Sequence, residues 1–261
     1  YKDGVEVYND TLDYTNKRVY IAFDSSSLGD TIAWMPYVLE FQKKHSCKVI
    51  VSTFKNFLFE SVYPELDFVE PGTVVNNIYG MYKLGWFYNK DKEPTLPNTI
   101  PLQQTATNIL GLPYIEIKPR IVNSRVCLSL KQVAIATNST SGCKFWTREA
   151  WQEVINYLHE QGYEVINTSL EKNPFDNCQA LSDTSMTNTM TTIYNSRFFI
   201  GLSSGLSWLA WALEKHCFLI SGFIDDKCEF ISNMTKIKND SVCGGCWNKK
   251  RFDPGNWNWC P

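Results

Sequence analysis

The 261-residue chain is 44% hydrophobic and 14% aromatic, and its 25 basic and 27 acidic residues leave a net charge of −2. That length suits one large domain or two of ordinary size, and the balanced charge lacks the basic footprint of a nucleic-acid partner. No apolar run is long enough to span a bilayer, and no secretory signal opens the chain.

After a polar start, residues 19–23 form a short apolar run, which predicts a buried strand. It ends in Asp24-Ser-Ser-Ser-Leu-Gly-Asp30, and a helix follows with Ile32, Met35, Val38 and Leu39 on one face. Lys43, Lys44 and His45 fall in its last turn, where cations suit the helix dipole. Residues 48–52 are the next strand, and strand–helix–strand implies a parallel pair. A short strand is expected at Phe68 and Val69. Residues 71–120 are less regular: Tyr79, Tyr82, Trp86, Phe87 and Tyr88 crowd together, and a helix over 105–110 stops at Gly111. Residues 113–125 read as a connection. The rhythm restarts with a strand over 132–137 and a helix over 148–160, capped by Thr147 and stopped at Gly162. Strands follow at 164–166 and 198–201, then a helix through Leu213. A strand over 218–221 closes the sheet. The pattern is two α/β halves in tandem, each on a parallel sheet, divided as residues 1–122, 123–225 and a tail of 226–261.

The tail carries Cys228, Cys243, Cys246 and Cys260 in the spacing C-x14-C-x2-C-x13-C. A C-x2-C pair with two further thiols reads as a closed four-thiolate metal site, and softness admits zinc or iron. With all four positions filled by protein the role is structural, away from substrate. Buried apolar cysteines, or disulfides in a secreted protein, are the alternative, and Cys217 competes with Cys228 for the fourth place. Scattered thiols beside such a cluster fit a reducing compartment.

Ligands of open parallel sheets bind at the carboxyl ends of strands, and two loops stand there. Asp30, at a helix start, is either a cap or a general base at the mouth of a cleft. The loop Ser203-Ser204-Gly205-Leu206-Ser207 offers hydroxyls and backbone N–H groups at a helix N-terminus: an ordinary cap, or an anion site for a diphosphate. Lys144, before another helix, is a solvated lysine or the cation for that phosphate. Missing are G-x-G-x-x-G, the P-loop, D-x-D and G-x-S-x-G patterns, which weakens dehydrogenase, ATPase, metal-bridged nucleotide-sugar and Ser-hydrolase readings.

Ser27-Leu-Gly-Asp-Thr31 with Pro36, and residues 199–210 with their Gly-Leu-Ser core, resemble lipopolysaccharide heptosyltransferases; Trp208 stands where that family has histidine. The finer resemblance is to bacterial autotransporter heptosyltransferases. It rests on Tyr63-Pro-Glu-Leu66, Lys83-Leu-Gly-Trp-Phe87, Ile109-Leu-Gly-Leu112, Leu206-Ser-Trp-Leu-Ala-Trp-Ala212 and the ending from Cys243-Gly-Gly-Cys-Trp-Asn248 to Cys260-Pro261. The resemblance implies a GT-B fold, two Rossmann-like halves facing a cleft. It also implies inverting transfer from ADP-heptose to serines of an adhesin, with no divalent metal in the active site. Carried over, Asp30 is the base, and Lys144 with Ser203, Ser204, Gly205, Leu206 and Ser207 holds the donor. Cys228, Cys243, Cys246 and Cys260 then form an iron-binding finger that supports a homo-oligomer, in the bacterial cytoplasm. The family's β-rich module would lie upstream of Tyr1. Two other readings compete: the same fold acting on a lipid or saccharide acceptor, and a non-catalytic assembly module.

Overall fold

Two parallel sheets carry the molecule. The computed structural model describes residues 12–87, 97–122, 129, 131–171 and 173–249. The first half runs β1 (Arg18–Phe23), α1 (Leu28–His45), β2 (Lys48–Ser52), β3 (Asp67–Phe68), β4 (Gly80–Leu84) and α2 (Leu102–Leu110). The second runs β5 (Gln132–Ala136), α3 (Arg148–Glu160), β6 (Glu164–Asn167), β7 (Cys178–Ala180), α4 (Met186–Asn195), β8 (Phe199–Leu202), α5 (Gly205–Ala212), β9 (Cys217–Ile220) and β10 (Met234–Ile237). A short α6 (Cys246–Lys249) follows. The strand orders are β3-β2-β1-β4 and β10-β9-β8-β5-β6-β7, and every pairing is parallel.

The apolar runs form the central strands as expected, because a strand covered on both faces must be apolar throughout. Three expectations need correction. The irregular stretch 71–120 contains β4, which pairs with β1 from Val19–Gly80 to Phe23–Leu84. Residues 167–197 hold β7 and α4, where the sequence reading placed nothing. The sheet does not close at 218–221: β10 joins it beyond β9, so part of the tail is sheet. All three missed strands are at or near an edge, where alternating or mixed sequence suffices. β4 shows this directly, with Met81 and Lys83 outward and Leu84 buried.

Helices α1 and α5 are buried nearly all round, from Gly29 to Leu39 and from Ser207 to Ala212. A helix apolar on every face belongs between layers rather than on a surface. The two meet at their N-termini. A Cβ on Gly205 would stand 3.0 Å from Leu28 Cβ and 3.1 Å from Gly29 N, and one on Gly29 would stand 3.2 Å from Trp208 Cδ1. Only glycine lets these two helix starts approach so closely. The main core passes through this joint, from Ile21, Trp34 and Phe41 to Trp208, Trp211 and Phe230. A smaller core lies under α3, around Val133, Ile135, Trp151 and Ile155. The predicted caps hold: Thr147 Oγ1 accepts from Ala150 N at 3.2 Å, and Gly111 ends α2 at φ 62°.

Candidate functional site

In each sheet the strand order reverses once beside a central strand. β1 lies between β2 and β4, and β5 lies between β6 and β8. The loops leaving such a pair part to opposite faces and open a crevice at the carboxyl edge. The last paired residues there are Phe23 with Leu84, and Ala136 with Gly201. Asp30, Trp86, Lys144 and the 203–207 loop all come from the segments that follow these positions.

The first pair of loops builds the carboxylate. Asp30 is the third residue of α1 and only 7% exposed. Its Oδ2 accepts from Ser25 Oγ at 2.6 Å and from Trp86 Nε1 at 2.7 Å. Ser25 comes from the loop after β1 and Trp86 from the loop after β4. Oδ1 carries no hydrogen bond among the described residues. Burial pushes the Asp30 carboxyl above its ordinary range; Ser25, Trp86 and the positive charge of Lys144 oppose that shift. Asp30 is therefore a stronger base than an exposed aspartate. Asp30 does not occupy the N-cap position, which is Ser27, whose own side chain makes no cap bond.

The second pair builds a cationic seat. Lys144 closes a 3-10 turn over Gly142–Lys144, after β5, and its Nζ donates to Ser203 O at 3.0 Å, after β8. Burial lowers its pKa, while Glu229, Cys143 and Asp30 hold its charge on. Ser203 is buried, and Ser207 Oγ turns back to donate to Leu202 O. Ser204 is the N-cap of α5 but makes no cap bond, and its buried Oγ has no partner among the described residues. A buried hydroxyl without a partner is costly unless something else completes it. Gly205 opens the helix, and Leu206 is partly buried beside it. The arrangement is a helix N-terminus, an open hydroxyl and an ammonium group, which together suit a diphosphate.

The structure thus brings Asp30, Lys144 and the 203–207 loop to one place. Residue-by-residue reading missed three neighbours. Ser25 was visible only as loop. Trp86 reaches Asp30 across 56 positions because β4 lies beside β1. Glu229 is buried with its Oε2 unpartnered among the described residues, and its charge acts on Lys144. Only the aromatic crowding around Trp86 hinted at any of this.

Of the tail cysteines, Cys228 is buried and Cys243 exposed, and Cys260 lies outside the described residues. Among the described residues no three His, Cys, Asp or Glu side chains gather as a metal set. The donor chemistry nevertheless fits a soft metal, and α6 leans onto Cys228: Asn248 Nδ2 donates to Cys228 Sγ at 2.8 Å. Burial pushes the Cys228 thiol up to about 11. Cys217 is buried at the start of β9, its Sγ 3.5 Å from Lys215 O and 3.7 Å from Ser207 O. A groove of about 480 Å3 beside His159, Tyr163 and Cys178 lies at the amino ends of β6 and β7 and includes none of the site residues. Among the described residues no helix is long and apolar enough to cross a membrane.

Residues 33–218 match the model of glycosyltransferase family 9 (heptosyltransferase). The autotransporter heptosyltransferase Aah of Escherichia coli is 31% identical over 271 residues, covering 96% of this chain and 68% of Aah. The crystal structure of TibC from E. coli, a dodecameric iron-containing heptosyltransferase in complex with ADP-D-β-D-heptose, superposes with a TM-score of 0.86 at 28% identity. That match covers 100% of this chain and 73% of TibC. BimC of Burkholderia thailandensis, named an inactive autotransporter heptosyltransferase, is 30% identical, covering 99% of this chain and 66% of BimC. The chain spans about two thirds of the length of Aah and BimC.

Proposed function

The chain belongs to glycosyltransferase family 9, the heptosyltransferases, and from that premise we propose that it moves a heptose from ADP-heptose to serine hydroxyls of an autotransporter adhesin, with Asp30 as general base. Family membership alone does not carry activity, since a relative of nearly the same similarity is named inactive. The observation that carries it is the pairing at the two switch points: a buried carboxylate with one oxygen unbonded, and a lysine seated on the diphosphate loop.

An acceptor serine hydroxyl is a poor nucleophile, so its proton must leave as its oxygen bonds the anomeric carbon. Asp30 Oδ1 is the atom to receive it. On the opposite side the bond to the ADP oxygen breaks, and negative charge grows on the diphosphate. Lys144, the Ser204 hydroxyl and the N–H groups of α5 meet that charge. Attack from the face opposite the leaving group gives inversion. Burial of both groups keeps out the water that would otherwise take the sugar. The first half then serves the acceptor and the second the donor, with the division near residues 122 and 225.

The tail completes the reading. Cys228, Cys243, Cys246 and Cys260 would hold one metal per chain, iron as in TibC rather than zinc, and the bound metal supplies a structural cross-link of the tail. Support comes from the α6 contact to Cys228 and from the thiol of Cys217, which lies against the Lys215 and Ser207 carbonyls instead. A homo-oligomer, as in TibC, is part of the same proposal. So is a cytoplasmic location, which the unbridged thiols of Cys47, Cys178, Cys217, Cys228 and Cys243 favour.

The test is incubation of the purified chain with ADP-heptose and an adhesin passenger domain, read by mass spectrometry. A heptose mass on serine, absent with Asp30→Asn, is expected; no added mass would defeat the proposal. Elemental analysis should find one iron per chain, lost in Cys246→Ser. Full metal retention in that variant would remove Cys246 from the ligand set.

A further inference from the structure

The closed finger is expected to sit away from the chemistry, yet its central turn lies against the group that holds Asp30. We infer that Trp86 is the positioning residue for Asp30, and that Trp247, from the cysteine-bearing turn, holds Trp86 in place. The inference rests on the reading of Asp30 as the base.

Trp86 Nε1 gives Asp30 Oδ2 its longer-range hydrogen bond, at 2.7 Å. With Ser25 on the same oxygen, the carboxylate cannot rotate without breaking both bonds, so Oδ1 keeps one direction. The bond is useful only if the indole stays put, and Trp86 is 41% exposed on a loop after an edge strand. Two rings brace it. Trp34 of α1, fully buried, lies 6.4 Å away, tied by its own Nε1 to Leu102 O at 2.9 Å. Trp247 meets Trp86 edge-on, with centroids 6.0 Å apart and planes at 86°. Such edge-to-face pairs add to plain burial.

Trp247 is itself clamped by backbone and side chains from both halves. Its N–H donates to Phe223 O at 3.1 Å, and Asn98 Nδ2 donates to its carbonyl at 2.7 Å. The next residue, Asn248, accepts from Asp225 N at 2.7 Å and donates to Cys228 Sγ. Trp247 therefore follows Cys246 directly and is fixed to Cys228 through its neighbour. The route from the cysteines to the base is short: α6, Trp247, Trp86, Asp30.

The test uses the full chain and four variants: Trp86→Phe, Trp247→Ala, their double, and Trp247→Phe. Trp86→Phe keeps a ring and removes the N–H. It should cut kcat for transfer to the adhesin passenger by about tenfold or more, with ADP affinity within twofold of wild type. The acid limb of its kcat/KM profile should move to higher pH, because a bond favouring charged Asp30 is gone. Trp247→Ala should show a similar loss of kcat, Trp247→Phe should recover most of it, and the double should be no worse than Trp86→Phe alone. Trp247→Leu replaces the alanine variant if that does not fold. Unchanged kcat in Trp86→Phe, or additive losses in the double, would overturn the inference. A structure of the Trp247 variant gives an arm independent of activity: Trp86 should have left Asp30, and an indole still at bonding distance refutes Trp247's part. If wild type transfers nothing, the functional reading fails, while that structural arm still decides this one.

Discussion

The loops after β1 and after β8 are built alike and left in opposite states. Each joins a central strand to a buried helix, and each begins its helix with a serine N-cap whose side chain makes no cap bond. After β1 the polar capacity is spent internally: Ser25 and Trp86 both point at one oxygen of Asp30. After β8 it is held open: Ser204 Oγ is buried without a partner among the described residues, and Lys144 donates to a backbone carbonyl. A group that must accept a proton needs fixed geometry before substrate arrives. A seat for an anion needs donors still unclaimed.

The largest effect is expected from neutralising the wired side. Asp30→Asn keeps the shape and removes the basicity, so transfer should fall by about 10²–10⁴-fold while ADP affinity is nearly kept. The same variant should be more heat-stable at neutral pH. Folding raises the Asp30 pKa, so its contribution is favourable at low pH and is lost as pH rises through the folded value. The variant's advantage should thus appear from the ordinary carboxylate range upward and then level off. Each kcal/mol would read as about 2–4 °C in a chain of this size.

Next, Lys144→Ala removes the cation of the open side. ADP binding in calorimetry should weaken by about tenfold or more, as charge-assisted bonds contribute about 1.5–3 kcal/mol; unchanged affinity would strip Lys144 of its role. Gly205→Ala attacks the joint between the loops. Its Cβ meets Leu28 and the Gly29 backbone at 3.0 and 3.1 Å, so a loss of about 1–3 kcal/mol in unfolding experiments is expected. The smallest effect sharpens the contrast most. Ser204→Ala should weaken ADP by about twofold to tenfold and leave the ligand-free chain as stable or slightly more so, since it deletes an unpaired hydroxyl. A destabilised Ser204→Ala chain would show that this loop, too, is internally satisfied.

Central strands and their helices were legible because burial on both faces writes itself as unbroken apolar sequence, as in β2, β5 and β8. What escaped was peripheral or weakly apolar. β10 alternates as Met-Thr-Lys-Ile, and α4 is rich in threonine, burying only Thr189, Met190 and Ile193. The site followed the same division. Asp30, Lys144 and the 203–207 loop lie next to strand ends and are readable in place. Trp86 became visible only once β4 was known to pair with β1, and Glu229 only once the segment beyond β9 was seen to bring its charge to bear on Lys144. Spacing along a chain records neither event.

Lys144 also acts on the carboxylate across the site. Its positive charge is shared among Asp30, Glu229 and the Ser203 carbonyl, and it is among the influences that keep Asp30 ionised. In the proposed role, a diphosphate docking on Lys144 would claim that charge and bring negative charge of its own. Asp30 would then hold its ionised form less comfortably and draw a proton more strongly. The site would gain proton affinity with the sugar donor aboard and give it up as ADP departs. Donor occupancy would then set the timing of deprotonation.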